Sequence, residues 1–535
     1  MKIICYKATT LLSMLFIWNC NTKAADEQII FYNKNCLNKI SLFLFCFMPE
    51  SGVLMRSLSG SKSADNDKVV IMIHYQNYRP IRIKGVYAND TTIMIPFYIE
   101  GKRYTHIDFK YFKDSINVQM YYYHLPVAFK FATFYYTSRL TYCLDNKERI
   151  RTIVLYSNTG YVIANISVAY KDKSRRSVLF LSPNGKPLYD ESQCYCKKEY
   201  ILNKEKKVIE VSHFNENDDV VLNNNGVAIY RYNYDKNGML LQESYYDQKD
   251  RPTCGSWGYS VVKYKYDSLG NEIERAYFDN EKLVCLKNEK YAIIRKKWDN
   301  KKLIEEAYFD DKKMLVTGHA ITKYDYDSKD KLRRECYLDS NGNPVCGGWY
   351  KVASITYEYP NDTTQVLRFY NARGHLTLCK EGNAGQINIY DRFGNMIRQV
   401  LFDTTEKPIN ITRNFASITM FYDKNNSNIE QMYYKANGTC IAHYKFSYDS
   451  LGNLVKTSFY DYTTKSGYMD FYLYDNNRNC IEYYRKYHDG RYVSYNYNGV
   501  ENTAVIRYEY NFYGAVSKII YIDSSGISIA KQIVK

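Results

Sequence analysis

Tyr264-Lys265-Tyr266-Asp267-Ser268-Leu269-Gly270-Asn271, followed by Tyr277-Phe278-Asp279, is the stretch that decides the fold, because variants of it recur about ten times from residue 226 onward. The first Asp returns at Asp235, Asp267, Asp299, Asp327, Asp391, Asp423, Asp449 and Asp475, at intervals of 32, 32, 28, 64, 32, 26 and 26 residues. The gap of 64 holds a degenerate copy, with Tyr357 and Tyr359 in register and Pro360 in the Asp slot. Self-similarity at such a period marks a repeat architecture, in which each unit buries its apolar face against its neighbours.

Inside the quoted copy Val262, Tyr264 and Tyr266 alternate with Val261, Lys263 and Lys265. That is the period of a strand with one apolar face. The phase returns in Tyr230, Tyr232 and Tyr234, in Tyr444, Phe446 and Tyr448, and in Ile506, Tyr508 and Tyr510. Asp267 is placed to accept hydrogen bonds from the amides that follow it, and Gly270 to supply the positive φ of a type I turn with a bulge. Asp235 with Gly238, Asp391 with Gly394 and Asp449 with Gly452 repeat the device, and Asp327 repeats its acidic half. A return strand from about Glu272 to Phe278 ends at Asp279, where a second turn begins. The expected fold is all-β: tandem β-hairpins joined into a long, curved antiparallel sheet or solenoid-like array, with little helix.

Residues 50–225 lack the clean phrase but share its texture, as in Tyr156-Ser157-Asn158-Thr159-Gly160 and Asn184-Gly185-Lys186-Pro187. They are expected to form a β-rich N-terminal region of divergent repeats or a cap, with the polar stretch Asn215 to Asn225 as the boundary. Residues 1–24 read as a signal sequence, with Lys2 and Lys7 ahead of the short apolar run Ala8 to Trp18. Two processing routes are open: cleavage after Ala24, or lipidation of Cys20 in Ile17-Trp18-Asn19-Cys20, which loosely matches a lipobox. A second apolar run, Ile40 to Met48, is too short to span a bilayer, and its purpose is unassigned.

Export would expose 14 Cys to an oxidising compartment. Cys254, Cys285, Cys346, Cys379 and Cys440 occupy one slot of successive copies. Same-slot residues two strands apart are separated by roughly 9.5 Å, beyond the ~7 Å Cα limit of a disulfide. They are expected to be small core residues.

Abundant aromatic residues, 59 Tyr and 24 Phe, exclude a disordered chain. A formal charge of +16 is spread along the array without a dense basic block, so no specific nucleic-acid partner is expected. Catalytic, cofactor and metal residues are all expected to be none. The eight His follow no metal-binding spacing, and no phosphate loop, dinucleotide fingerprint or nucleophile elbow occurs. Asp339-Ser340-Asn341-Gly342-Asn343 begins like a calcium loop but has Pro344 at the sixth position and Tyr350 at the last, so turn capping explains it better. Cys194-Tyr195-Cys196 would set two sulfurs on one strand face, half of a zinc site. Acid pairs such as Asp267 and Asp279 recur in every copy, whereas glycoside hydrolysis needs one pair in a cleft. The tyrosine ribbon is either a core or a platform for flat ligands such as sugar rings.

Tyr234-Asp235, Tyr266-Asp267, Tyr326-Asp327, Tyr390-Asp391, Tyr422-Asp423, Tyr448-Asp449 and Tyr474-Asp475, with Gly238, Gly270, Gly394 and Gly452 in the glycine slot, resemble the signature of the YD-repeat, or Rhs-like, family of exported bacterial proteins. The resemblance covers about 310 residues, 226–535. It implies long curved sheets that coil into shells or surface bodies, some enclosing a toxin; no toxin domain is expected here. The resulting expectation is a non-enzymatic binding or scaffolding module of the periplasm, outer membrane or cell surface. Its partner would be a polysaccharide or another envelope protein, and it would meet a membrane only through a lipid anchor. The alternatives are a carbohydrate-active enzyme with its site in residues 50–225 and a toxin-delivery or immunity accessory.

Overall fold

The computed structural model describes residues 28–33 and, with short breaks, 69–533. Residues 1–24, expected to be a signal sequence, with Cys20, and the apolar run Ile40 to Met48 lie outside the described residues. Among those described there is no α-helix, and one 3-10 turn at Gly255–Trp257. From Arg139–Leu144 to Ser528–Ile533 the strands pair antiparallel in chain order. The result is one long antiparallel sheet of sequential hairpins. Gln28–Asn33 pairs only with Val69–Gln76 and Ser528–Ile533 only with Val516–Ile522 among the described residues, so the sheet is not closed into a barrel.

Ten hairpins follow Ile229, beginning with Ile229–Tyr234 and Leu240–Tyr246 and ending with Val505–Tyr510 and Val516–Ile522. The same unit runs through the polar stretch at 215–225: Val208–Phe214 pairs with Ile229–Tyr234 across it. Upstream, Asn203 stands in the Asp slot, accepting the Lys207 N–H at 2.9 Å, and Lys206 takes the left-handed position at φ 64°.

The turns follow from side-chain chemistry. Asp267 Oδ1 accepts the N–H groups of Leu269 and Asn271, both at 2.9 Å, while Asn271 Nδ2 donates to Asp267 Oδ2 at 2.8 Å. Gly270 sits at φ +79°, and the register slips by one residue after Lys265↔Glu274, which is the bulge such a turn imposes. Asp391, Asp449 and Asp475 likewise accept the backbone N–H and the side-chain amide of Asn395, Asn453 and Asn479. Asp235 and Asp327 each accept the N–H four residues on, at 2.6 and 2.9 Å. The second turn reuses the device: Asp339 Oδ1 accepts from Asn341 and Asn343, which accounts for the calcium-loop likeness. Two copies turn otherwise than their spacing suggests. Asp299 pairs with Lys302 in a two-residue turn carried by Asn300 at φ 55°, and the Pro360 copy turns beyond its proline, where Asn361 Oδ1 caps Thr363 at 2.9 Å.

These caps make the array acid-sensitive. Hydrogen bonds from Thr405 to Asp403 and from Ser525 to Asp523 hold both carboxyls below the usual range. At Asp267 desolvation works the other way and is outweighed by the Asn271 bonds. A depressed folded pKa stabilises the fold above the ordinary value and ceases to do so as pH falls through the folded one. Acid unfolding followed by circular dichroism is therefore expected below about pH 4. Asp267→Asn, Asp403→Asn and Asp523→Asn together should flatten the acid limb; an unchanged limb would remove the turn carboxylates from its cause.

Repeat length sets whether the tyrosine face is covered. In the 32-residue copies a segment of about eight residues separates the second turn from the next strand and folds back over that face. Tyr259 lies 4.9 Å from the Tyr277 ring, Tyr291 5.1 Å from Tyr308, Tyr350 4.4 Å from Phe369 and Phe415 5.2 Å from Tyr433. Successive segments also bond to one another, as in Ser256 N–H to Asn225 O at 2.8 Å and Thr412 N–H to Glu381 O at 3.2 Å. The fold is thus two layers around an aromatic core in which Tyr245, Tyr277, Tyr337 and Phe369 are buried. In the 26-residue copies no such segment exists: Tyr434 pairs with Cys440 and Asp461 with Ser466 across plain turns.

Candidate functional site

The tyrosine face has three columns running across the strands. The column nearest the Asp turns holds the Tyr of the Tyr-Asp pairs and, in the last copy, Tyr510; most of their hydroxyls donate to a backbone carbonyl of the preceding hairpin, whereas Tyr390 donates to the Gln365 side chain at 3.5 Å. Tyr422 reaches Met396 O at 3.1 Å, Tyr448 reaches Asn428 O at 2.8 Å, Tyr474 reaches Leu454 O at 2.9 Å and Tyr510 reaches Cys480 O at 2.8 Å. In the Asp299 copy the indole of Trp298 does the same to Glu272 O at 2.8 Å. The acceptor is the first or second residue after the earlier turn. This column is a structural lock between repeats.

The middle column is polar beneath its rings. Glu243 accepts the hydroxyls of Tyr264 and Tyr245, at 3.0 and 3.1 Å, and Glu335 those of Tyr337 and Tyr357, at 2.6 and 3.2 Å. Burial, reinforced by these carboxylates, pushes the hydroxyls of Tyr264, Tyr245, Tyr337 and Tyr357 well above the usual phenol range. Tyr474 and Tyr510, each raised mainly by burial, stand at about 12. At neutral pH they are neutral donors. Further on, Arg485 and Asp470 form a two-toothed ion pair at 2.7 and 3.1 Å, with Tyr483 donating to Asp470 at 2.9 Å.

The third column, at the opposite ends of the strands, is covered in some places and uncovered in others. Over most of the array it lies under the cover segments. Between the cover ending at Ala416 and the small hairpin Tyr495–Tyr497 with Val500–Thr503, three strands lack a cover, Cys440–Tyr448, Leu454–Asp461 and Ser466–Tyr474, and Tyr495 of that hairpin lies against Tyr483 of the next strand, Cys480–Tyr487. At roughly 4.8 Å per strand this leaves an opening of about 14 Å. Its floor is the half-buried row Tyr444, Phe459 and Tyr468, with centroid spacings of 4.6 and 5.0 Å. Sequence reading missed this strip, although the shortening of the interval from 32 to 26 residues was its signal.

The cysteine expectations are partly revised. All described cysteines are free thiols. In the shared slot Cys379 is buried and Cys254, Cys285 and Cys440 half-buried, but Cys346 is exposed, because Gly347 and Gly348 press their backbone against the Tyr337 ring in its place. Cys194 and Cys196 do not share a strand face: the strand starts at Lys197, Cys194 is exposed at φ 61°, and buried Cys196 turns its thiol to Phe214 O at 3.7 Å. Among the described residues no group of three or more His, Cys, Asp or Glu is placed to hold a metal ion.

No protein-family model and no curated protein matches the chain. Solved structures similar to it include the TcdB2-TccC3 assembly and the Photorhabdus luminescens Tc holotoxin pore, each at 12% identity and a TM-score of 0.27, covering 85% of this chain. The chain spans 26% of the length of each. A porin-like protein from Bacteroides uniformis is similar at 11% identity and a TM-score of 0.13, over 74% of this chain and 90% of the other. These are distant likenesses between β-rich chains.

Proposed function

We propose that this is an exported repeat protein of the YD-repeat kind, acting at the cell envelope as a binding or scaffolding module whose contact surface is the uncovered strip of the tyrosine face. One observation carries the reading: a cover segment seals the aromatic column in the 32-residue copies, and the 26-residue copies leave Tyr444, Phe459 and Tyr468 without one. A half-buried aromatic row that no cover segment shields is a candidate interaction surface. The Tyr-Asp motif supports the family reading, since both of its residues have work in the repeat, one as the interstrand lock and the other as the turn cap.

The test is sedimentation of the full chain with washed bacterial envelope preparations. Wild type is expected to co-sediment, and Phe459→Leu with Tyr468→Leu to remain in solution, while substitutions on the opposite face at Lys263 and Lys297 leave sedimentation unchanged. Equal sedimentation of the strip variant and wild type would overturn the reading.

A further inference from the structure

The covered copies hold a run of rings that neither the turns nor the uncovered strip uses. Tyr245, Tyr277 and Tyr308 belong to the sheet, each two strands from the next and so separated by roughly 9.5 Å or more. A ring of the cover layer divides each gap. Tyr259 stands 5.9 Å from Tyr245 and 4.9 Å from Tyr277, and Tyr291 stands 6.5 Å from Tyr277 and 5.1 Å from Tyr308. Tyr230 and the half-buried Trp257, 5.4 and 5.2 Å from Tyr245, complete the run. Imidazoles bound it at both ends, His213 at 5.6 Å from Tyr230 and His319 at 5.8 Å from Tyr308. Phenol and indole rings give up one electron far more readily than imidazole or phenyl rings. Transfer between rings falls off exponentially with distance, so several short steps outrun a single long one.

A phenol that loses an electron becomes a strong acid, and a buried cation without a partner is costly, so its proton must go somewhere. Burial pushes the hydroxyls of Tyr259 and Tyr291 up to about 12, so the phenols hold their protons until they are oxidised. Carboxylates stand ready at both ends of the run. Glu243 accepts the hydroxyls of Tyr245 and Tyr264, and Glu306 accepts that of Tyr308 at 2.7 Å. When the proton crosses such a bond as the electron leaves, a neutral phenoxyl and a neutral carboxylic acid remain, and no buried cation forms.

We infer that the run from Tyr230 to Tyr308 is a relay for one-electron oxidation. A one-electron oxidant at the surface takes an electron from Trp257, and the electron hole passes through Tyr259, Tyr277 and Tyr291 to Tyr308, whose hydroxyl proton moves to Glu306. The oxidant is reduced by one electron; the O–H bond of Tyr308 breaks and an O–H bond on Glu306 forms. A one-electron reductant such as a thiolate, leaving as a thiyl radical, returns the electron, and Glu306 returns the proton.

The test oxidises the full chain with photogenerated tris(bipyridine)ruthenium(III), persulfate being the final electron acceptor. Samples frozen at short times are read by high-field electron paramagnetic resonance, in which a hydrogen bond to the phenoxyl oxygen narrows the g-anisotropy. Wild type is expected to show a hydrogen-bonded tyrosyl component that is absent from Tyr308→Phe, which assigns it. Tyr291→Phe keeps a ring in place but removes an oxidisable step, so it should lose the same component. Tyr291→Trp supplies an oxidisable ring without the hydroxyl and should restore it, which separates transfer from a fault in folding. Glu306→Gln preserves the shape but cannot take the proton, and should lose the component as well. Tyr161→Phe, at an exposed position outside the run, should keep it. Absence of the component from wild type, its survival in Tyr291→Phe or Glu306→Gln, or failure of Tyr291→Trp to restore it would each overturn the inference.

Discussion

Replacing Tyr422, Tyr448, Tyr474 and Tyr510 together by phenylalanine is expected to destabilise the C-terminal hairpins by about 4 kcal/mol, at about 1 kcal/mol for each lost hydroxyl-to-carbonyl bond. Each hydroxyl is the donor to a carbonyl of the preceding hairpin, at 2.8 to 3.1 Å, and phenylalanine fills the same space without the bond. The four sites lie in successive repeats, roughly 9.5 Å apart for neighbours two strands away, far enough for their effects to add. An array unfolds by neighbouring units, so the loss should concentrate where the locks were removed. Hydrogen exchange of the strands from Ser417–Tyr422 to Val505–Tyr510 is the measurement, and accelerated exchange confined to them is the expected result. Tyr161→Phe, at a position 71% exposed and outside these hairpins, serves as the control and should change nothing. A quadruple variant within about 0.5 kcal/mol of wild type would mean that water replaces the hydroxyl at no cost, and the tyrosine of the motif would lose its physical reason.

That lock also shows where sequence reading reaches its limit. The alternation of Tyr264 and Tyr266 with Lys263 and Lys265 announced a strand with one apolar face, because side-chain direction along a strand is fixed by covalent geometry. Asp267 and Gly270 announced the turn for an equally local reason. The partner of Tyr474, by contrast, is the carbonyl of Leu454, 20 residues earlier. Every residue carries a carbonyl, so no residue type in the chain marks the acceptor. The cover segments were half legible. Their composition reads as loop, and only the sheet shows that Tyr259 or Tyr350 folds back onto the rings. Interval length carried the missing information: a 32-residue repeat has chain to spare after its second turn and a 26-residue repeat does not. Asp299 and Pro360 turned differently from their neighbours because local backbone preference overrode the motif, through Asn300 in the left-handed region and Asn361 as its own cap.

Asp470→Ala is expected to cost about 3 kcal/mol, the lower end for breaking a buried ion pair, because it leaves the Arg485 guanidinium charged beneath the sheet's aromatic layer. Asp470 is 6% exposed, receives two bonds from Arg485 and takes the Tyr483 hydroxyl as a third partner. Its hydrogen bonds hold the Arg485 guanidinium above even its ordinary high pKa, so shedding the proton offers no escape. The arginine side chain keeps 30% exposure, which is why the lower figure applies. Replacing both partners, Asp470→Leu with Arg485→Met, removes the stranded charge along with the pair and should restore most of the lost stability. Urea denaturation read by tyrosine fluorescence compares the three proteins. The opposite order, with the double variant less stable than Asp470→Ala, would show the pair to be a net source of stability. In the expected order the pair's value lies in specificity: a carboxylate that accepts only from Arg485 and Tyr483 fixes the register of Ser466–Tyr474 against Cys480–Tyr487, where aromatic residues on both faces would otherwise tolerate a one-residue slip.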